Sequence, residues 1–295
     1  PPCGEKYIIT MMNCPYSCSY CYLRSYLEHR SVVIFTDTER MKEETSRAII
    51  EDAPRFMTTG EMSDSLALDD LTGTTLDLLP LFEGSSTLLE ARTKSNNVKH
   101  LLAAAADPSG LSGRSEPAVN SFERLLVTFT LGPETMIERE EPGTASIEAR
   151  LETIGLLTEA GIKTGVRFDP IIPAYADIDS YRWILDGLVE ASGGNGIYRF
   201  ELGALRFPPG LLENVRETVP HSSILRGEYL RDREGKLRLY RPARVSLYRE
   251  IAGLVLQRFP ETRIELCMES STVWEDAGIE PLVCSSCAQR PHSLS

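Results

Sequence analysis

The sequence predicts an α/β chain folded as a partial (β/α)6, TIM-like barrel. Two observations carry that expectation. Short β-branched or apolar runs alternate with longer segments of helical period, which implies parallel strands with helices outside them. Three polar clusters, Gly60-Glu61-Met62-Ser63-Asp64, Arg92-Thr93-Lys94-Ser95 and Asp169-Pro170, each follow directly on an expected strand. Barrel folds place their reactive groups at those strand ends.

Residues 7–12 read as the first strand, followed at once by a cysteine-rich loop, and residues 32–35 as a short strand. Thr36-Asp37-Thr38-Glu39 fits a capping box for a helix ending near residue 51. A strand at 55–58, a helix over 71–81, a strand at 86–91 and a helix over 98–105 come next. A loop rich in Pro, Gly and Ser covers 107–120. The strand at 125–131 precedes a helix capped by Thr144 that ends near residue 160. Strands at 163–168, 198–205 and 263–266 alternate with helices over 178–191 and 245–259. The stretch 208–241 reads as an irregular insertion or lid. The expected division is a barrel over 1–207 and an extension over 208–295 that packs on it, with a last helix–strand unit and a cysteine-containing tail.

The composition, 42% apolar and 25% charged over 295 residues, is that of a globular chain, and no apolar run is long enough to span a bilayer. The opening Pro-Pro-Cys-Gly-Glu-Lys lacks the basic end and apolar core of a signal peptide, and the absence of an initial Met leaves the natural N-terminus open. A net charge of −12 weighs against a phosphate-backbone ligand, although residues 226–249 are locally rich in Arg, and favours a small molecule or peptide. Seven cysteines is an odd number in a chain too large to need disulfides, which points to metal binding in a reducing, cytoplasmic setting.

Cys14, Cys18 and Cys21 form a C-x3-C-x2-C set. Three thiolates on one loop can hold three corners of an iron–sulfur cluster and leave the fourth iron open for chemistry. A structural zinc site or buried free thiols is the alternative. Zinc ribbons pair two C-x2-C knuckles, and no second one occurs before Cys284 and Cys287.

This loop, with an aromatic residue before its last cysteine, resembles that of the radical S-adenosylmethionine enzymes. The resemblance narrows to the spore photoproduct lyase family through Cys14 to Leu23, Ser63-Asp64 with Asp69 and Leu71-Thr72, Thr93-Lys94, and Glu141-Pro142-Gly143-Thr144. Ala160-Gly161-Ile162-Lys163-Thr164-Gly165 and Pro170-Ile171 match as well. It implies a [4Fe–4S] cluster on Cys14, Cys18 and Cys21 that chelates S-adenosylmethionine, and a flavodoxin or ferredoxin as electron donor. Reduction then yields a 5′-deoxyadenosyl radical that abstracts hydrogen from the substrate.

By the same resemblance Gly60 and Glu61 receive the methionine amino group, with Ser63 beside them. Lys94 pairs with the methionine carboxylate, and Thr130 replaces a serine that contacts the cofactor. Tyr20 and Tyr22 match two tyrosines that relay a hydrogen atom, Tyr20 also lying against the cofactor; packing around the cluster is their structural alternative. Glu61 is the departure: the family carries there a cysteine that quenches the product radical, and a carboxylate has no weak hydrogen to give.

Cys267 ends the last expected strand and could serve as hydrogen donor. It could instead join Cys284 and Cys287, with Cys3 or His292, in a second metal site. Asp169 and Arg206 follow the fifth and sixth barrel strands and are candidates for substrate or ribose contact. His29, His100, His221 and His292 show no metal or triad spacing, and most read as surface residues; Arg24, Arg30 and Lys99 read as solvated helix faces.

The expected activity is radical hydrogen abstraction from a small-molecule or peptide substrate, with lyase, isomerase and oxidoreductase outcomes all open. Thymine-dimer lysis in DNA is the first alternative. A non-catalytic iron–sulfur or zinc protein is the second.

Overall fold

The computed structural model describes residues 6–29, 31–107, 121–193, 196–232 and 234–280. β1 (Lys6–Tyr7) is short, because the apolar run after it leaves its sheet. β2 (Met11–Met12) turns away instead, and beyond α1 (Leu23–Tyr26) it pairs antiparallel with β3 (Val33–Ile34), closing the base of the cysteine loop. α2 (Thr38–Asp52) is capped by Asp37, which accepts from Arg40 N at 3.3 Å. The cap is thus one residue later than the box expected at Thr36.

After β4 (Phe56–Thr58), the helix expected over 71–81 is broken into α3 (Asp69–Thr72), α4 (Thr74–Leu78) and a 3-10 turn, Leu79–Phe82. Gly73 at φ 65 ends one piece and Pro80 tightens the next. β5 (Leu88–Thr93), α5 (Lys99–Ala106) and β6 (Leu125–Thr130) follow the sequence pattern. α6 (Glu134–Glu140) was not expected. α7 (Ile147–Glu159) is capped by Ser146 rather than Thr144, whose hydroxyl donates instead to Glu141 O. β7 (Lys163–Ile171), α8 (Ile178–Ser192) and β8 (Arg199–Ala204) come next.

The stretch expected to be irregular contains β9 (Arg206–Phe207), α9 (Leu211–Thr218), β10 (Tyr229–Arg231) and β11 (Leu237–Leu239). Its strands form a small antiparallel sheet in the order β10-β11-β9. α10 (Arg241–Arg258), β12 (Arg263–Leu266) and α11 (Ser271–Ala277) end the described chain.

The main sheet runs β1-β4-β5-β6-β7-β8-β12, all parallel. Six strands come from residues before 208 and the seventh from the extension. The sheet curls into a partial barrel, far enough that Arg55, just ahead of β4, reaches Glu265 on β12 at 3.1 Å. Outward-facing residues such as Leu89, Val127, Phe129, Phe168 and Leu202 pack under the helices in the main core.

The inward face is different. Phe56, Leu88 and Leu126 plug its lower end, and above them lies a layer of charge in which Glu90, Arg92, Arg199 and Glu201 are buried and Arg167 is partly so. Period-two alternation puts residues i and i+2 on one face, so Glu90-Ala-Arg92, Arg167-Phe-Asp169, Arg199-Phe-Glu201 and Arg263-Ile-Glu265 each point a charged pair inward. Among the described residues no helix is long and apolar enough to cross a membrane.

Candidate active site

The loop 13–22 is held by backbone and side chain together. Ser17 N donates to Pro142 O at 3.2 Å and Ser19 N to Glu140 O at 2.8 Å, a short ladder against the end of α6. The adjacent carboxylates repeat the clamp. Glu140 accepts from Ser19 Oγ, from Tyr175 Oη at 2.6 Å and from Ser222 Oγ at 2.7 Å. Glu141 accepts from Tyr20 Oη and pairs with fully buried Arg150 at 2.6 Å.

This clamp brings Cys14, Cys18 and Cys21 to one cavity of about 590 Å³ at the C-terminal ends of the strands. Burial pushes the thiols up, Cys14 to about 12, with Asp64 adding to the effect there; Cys18 and Cys21 rise for the same first reason. Lys94 opposes the rise at Cys18 and Cys21. Dry thiols of this kind ionise when metal cations take up the charge. The backbone at Tyr16 and Asp64 works against the rise at Cys14.

Every residue singled out in the sequence for the site lines this cavity: Gly60, Glu61, Ser63, Lys94, Thr130, Tyr20, Tyr22, Asp169, Arg206 and Cys267, besides the three cysteines. Lys94 Nζ lies 5.7 Å over the Tyr20 ring. Tyr22 Oη donates to Glu61 O at 2.6 Å and contacts Glu61 Oε1 at 3.3 Å. Tyr20 has its hydroxyl engaged by Glu141, on the clamp side of the loop. Cys284, Cys287, Cys3 and His292 lie outside the described residues, as does Arg30.

Gly60 has a packing reason besides ligand approach. A Cβ there would stand 2.8 Å from Arg92 Cβ and 2.9 Å from Arg92 O, so β4 and β5 fit only around glycine. Gly60→Ala is expected to cost about 1–3 kcal/mol through overpacking, read as a lower urea midpoint with an unchanged slope; an unaltered midpoint would refute this reading.

At the other edge Asp169 is held by Arg167 at 2.7 Å and by Arg206 at 3.2 and 3.3 Å. Burial alone would raise the Asp169 pKa, but Arg206 and Arg167 hold it well below the usual carboxylate range. Gly203 makes room for it, since a Cβ there would fall 2.4 Å from Asp169 Oδ1.

Several residues of the site escaped the sequence reading. Asp64 accepts from Leu66 N, Ala67 N, Thr93 Oγ1 and Lys94 N, the last at 2.6 Å, and so ties the loop after β4 to the loop after β5. Glu140 and Glu141 act across a separation of 121 residues, which no local pattern encodes. The inward charged pairs were visible as period-two alternation. His100 is one histidine that is not a free surface residue, and Arg24 keeps an exposed face while making a contact of its own. His100 Nε2 is 2.8 Å from buried Asp69, and Arg24 reaches Thr218 Oγ1 at 2.8 Å, tying α1 to α9.

A family model described as spore photoproduct lyase matches residues 2–268. The chain belongs to the spore photoproduct lyase family. The Bacillus subtilis (strain 168) spore photoproduct lyase is 26% identical over 192 residues, covering 63% of this chain; the chain spans about half (52%) of that relative. Among solved structures, a spore photoproduct lyase complexed with dinucleoside spore photoproduct matches with a TM-score of 0.75 and 21% identity, over 88% of this chain and 76% of that one. A variant of spore photoproduct lyase with bound AdoMet and the same dinucleoside matches at 0.73 and 20%, over 88% and 75%. At these identities the structural likeness establishes the family's curled α/β fold.

Proposed function

We propose that this chain is a radical S-adenosylmethionine enzyme of lyase type, acting on a thymine photoproduct of DNA. The observation that carries the proposal is the convergence of three loop thiols, the Glu61–Ser63–Lys94 set and the Asp169–Arg206–Cys267 set on one cavity. The residues suit the cofactors. Three sulfur donors on one loop match an iron–sulfur cluster with an open iron. Ser63 Oγ, buried in the cavity wall, has no hydrogen-bond partner, as expected of an atom that waits for a ligand.

Cys14, Cys18 and Cys21 would hold the cluster, and Glu61, Ser63 and Lys94 would seat the amino acid end of S-adenosylmethionine, with Thr130 and Tyr20 alongside. When bound, the pair supplies a 5′-deoxyadenosyl radical able to take hydrogen from an unactivated C–H bond. The chain's own residues position and shield. The ammonium of Lys94 offers charge to a carboxylate, the clamp on Ser19 and Tyr20 fixes the loop, and Asp169 and Arg206 line the substrate side. In this reading the radical-generating barrel lies within residues 1–207, and the described part of the 208–295 extension supplies the far wall through residues such as Leu266, Cys267 and Trp274.

The photoproduct is proposed because the matched relatives are spore photoproduct lyases and two structural neighbours hold its dinucleoside. Glu61 and the net charge of −12 favour a second reading, a small-molecule or peptide substrate without a phosphate backbone. Anaerobic chain loaded with iron and sulfide, given dithionite, S-adenosylmethionine and dinucleoside spore photoproduct, is expected to release thymidine and 5′-deoxyadenosine. If 5′-deoxyadenosine forms while the photoproduct is untouched, the second reading replaces the first. If neither 5′-deoxyadenosine nor thymidine forms, the radical reading fails.

A further inference from the structure

Cys267 is the one free thiol among the described residues outside the cysteine loop. Its amide donates to Leu202 O at 2.7 Å, carrying the β8–β12 ladder one residue past the strand, and Met268 at φ 54 then turns the chain away. The thiol is left at the barrel mouth, lining the same cavity as the cysteine loop. Arg206 Nη2 is 3.1 Å from its sulfur and Arg167 Nη2 4.0 Å. Asp169, Glu201 and Cys267 offer ligand-type atoms within 4.8 Å of one another. Both carboxylates already face arginines, which supply the positive charge a metal would bring.

A second observation marks this cavity as one that receives a ligand. Ser63, 7% exposed, lines the same cavity in the wall after β4 and its Oγ has no hydrogen-bond partner, whereas buried Glu201, beside Cys267, pairs with Arg167 at 2.9 Å and with Arg199 at 3.5 Å. The two stand on β8 and just beyond β4, with three strands between them. The unpartnered Ser63 Oγ calls for a ligand in the cavity that Cys267 also lines.

We infer that Cys267 is a catalytic hydrogen-atom donor, passing its S–H hydrogen to a carbon-centred radical in this cavity. The C–H bond forms as the S–H bond breaks, leaving a Cys267 thiyl. One electron from a low-potential iron–sulfur or flavin protein, with one proton from solvent, restores the thiol. The transfer runs downhill because an S–H bond is weaker than an aliphatic C–H bond. Burial keeps the proton on sulfur against the pull of Arg206 and Arg167. The inference rests on the radical reading above, and it gives the chain a hydrogen source that Glu61 lacks.

The test uses the cluster-loaded chain in D2O, with dithionite and S-adenosylmethionine and no substrate. 5′-Deoxyadenosine from the unaltered chain is expected to carry deuterium from the exchanged thiol, and that from Cys267→Ser and Cys267→Ala none above background. The deuterium content is read per molecule formed, so a slower variant remains informative. Deuterium retained in the variants, or absent from the unaltered chain, overturns the inference while the radical reading stands; no 5′-deoxyadenosine at all overturns both. A second readout needs no turnover. Without reductant, iodoacetamide labelling of Cys267, mapped by mass spectrometry, should slow several-fold when dinucleoside spore photoproduct is added with S-adenosylmethionine. Unchanged labelling in a chain shown by equilibrium dialysis to bind the photoproduct also defeats the inference, and a chain that does not bind it is judged by the deuterium readout.

Discussion

Glu90→Ala is expected to lower the urea midpoint of the chain sharply, removing a large part of its stability. Glu90 is fully buried and accepts from Thr58 Oγ1 at 2.9 Å, Thr128 Oγ1 at 2.7 Å, Arg92 Nε at 3.0 Å and Arg199 Nη2. Removing one partner of a buried ion pair costs about 3–5 kcal/mol, a large part of the roughly 5–15 kcal/mol that holds a typical domain together. Arg199 keeps Glu265 at 2.9 Å, but at 1% exposure it cannot recover the loss from water. Asp179→Ala, at the exposed pair with Arg182, should leave the urea midpoint where it was. Equal midpoints for the two variants would refute this account.

The same layer sets the acid limb of stability. Burial alone would raise the Glu90 pKa, but Arg199 and Arg92 reverse that and hold it well below the usual carboxylate range. Glu201 and Asp169 are lowered as well, by Arg167 and Arg206 above all. A folded pKa below the unfolded one contributes stability that is complete above the ordinary carboxylate value, about 4. It is lost as pH falls below that value. Stability should therefore be level at neutral pH and drop steeply in acid, and a flat acid limb would contradict the network.

Glu141→Ala is expected to abolish iron loading together with much of the stability. Arg150 is fully buried and donates to Thr130 O at 2.7 Å, Ala145 O at 3.0 Å and Thr144 Oγ1 at 2.7 Å besides Glu141. Without the carboxylate its charge is uncompensated and Tyr20 loses its acceptor, again on the order of 3–5 kcal/mol. The local consequence is larger, because Tyr20 stands between two of the loop cysteines. Glu141→Gln keeps an acceptor in place and should recover part of the iron content. Full iron and an unchanged melting temperature in Glu141→Ala would show that the backbone ladder alone fixes the loop.

These two residues show what a sequence can and cannot disclose. The cysteine loop, the polar clusters after the strands and Cys267 at the end of β12 were legible because strand period and strand end determine where such residues point. The family resemblance added Gly60, Ser63, Lys94 and Thr130 on motif grounds. Glu141 was visible only as part of a matching stretch, since its partners Tyr20 and Arg150 are brought to it by tertiary folding. The charged pairs spaced by one residue in β5, β7, β8 and β12 were readable, but each alone resembles a solvated strand face. Only curling of the sheet brings them together. The break at Gly73 and the small sheet of the insertion were lost for the opposite reason, as weak local patterns overridden by packing.

β1 and β12 form the two edges of the main sheet, and they come from opposite ends of the described chain. During synthesis at about 5–20 residues per second, the loop cysteines leave the ribosome tens of seconds before Cys267 and Trp274. For that interval Cys14, Cys18 and Cys21 have no far wall. Among the described strands, the last to be made is the one that walls in the cysteine loop's cavity.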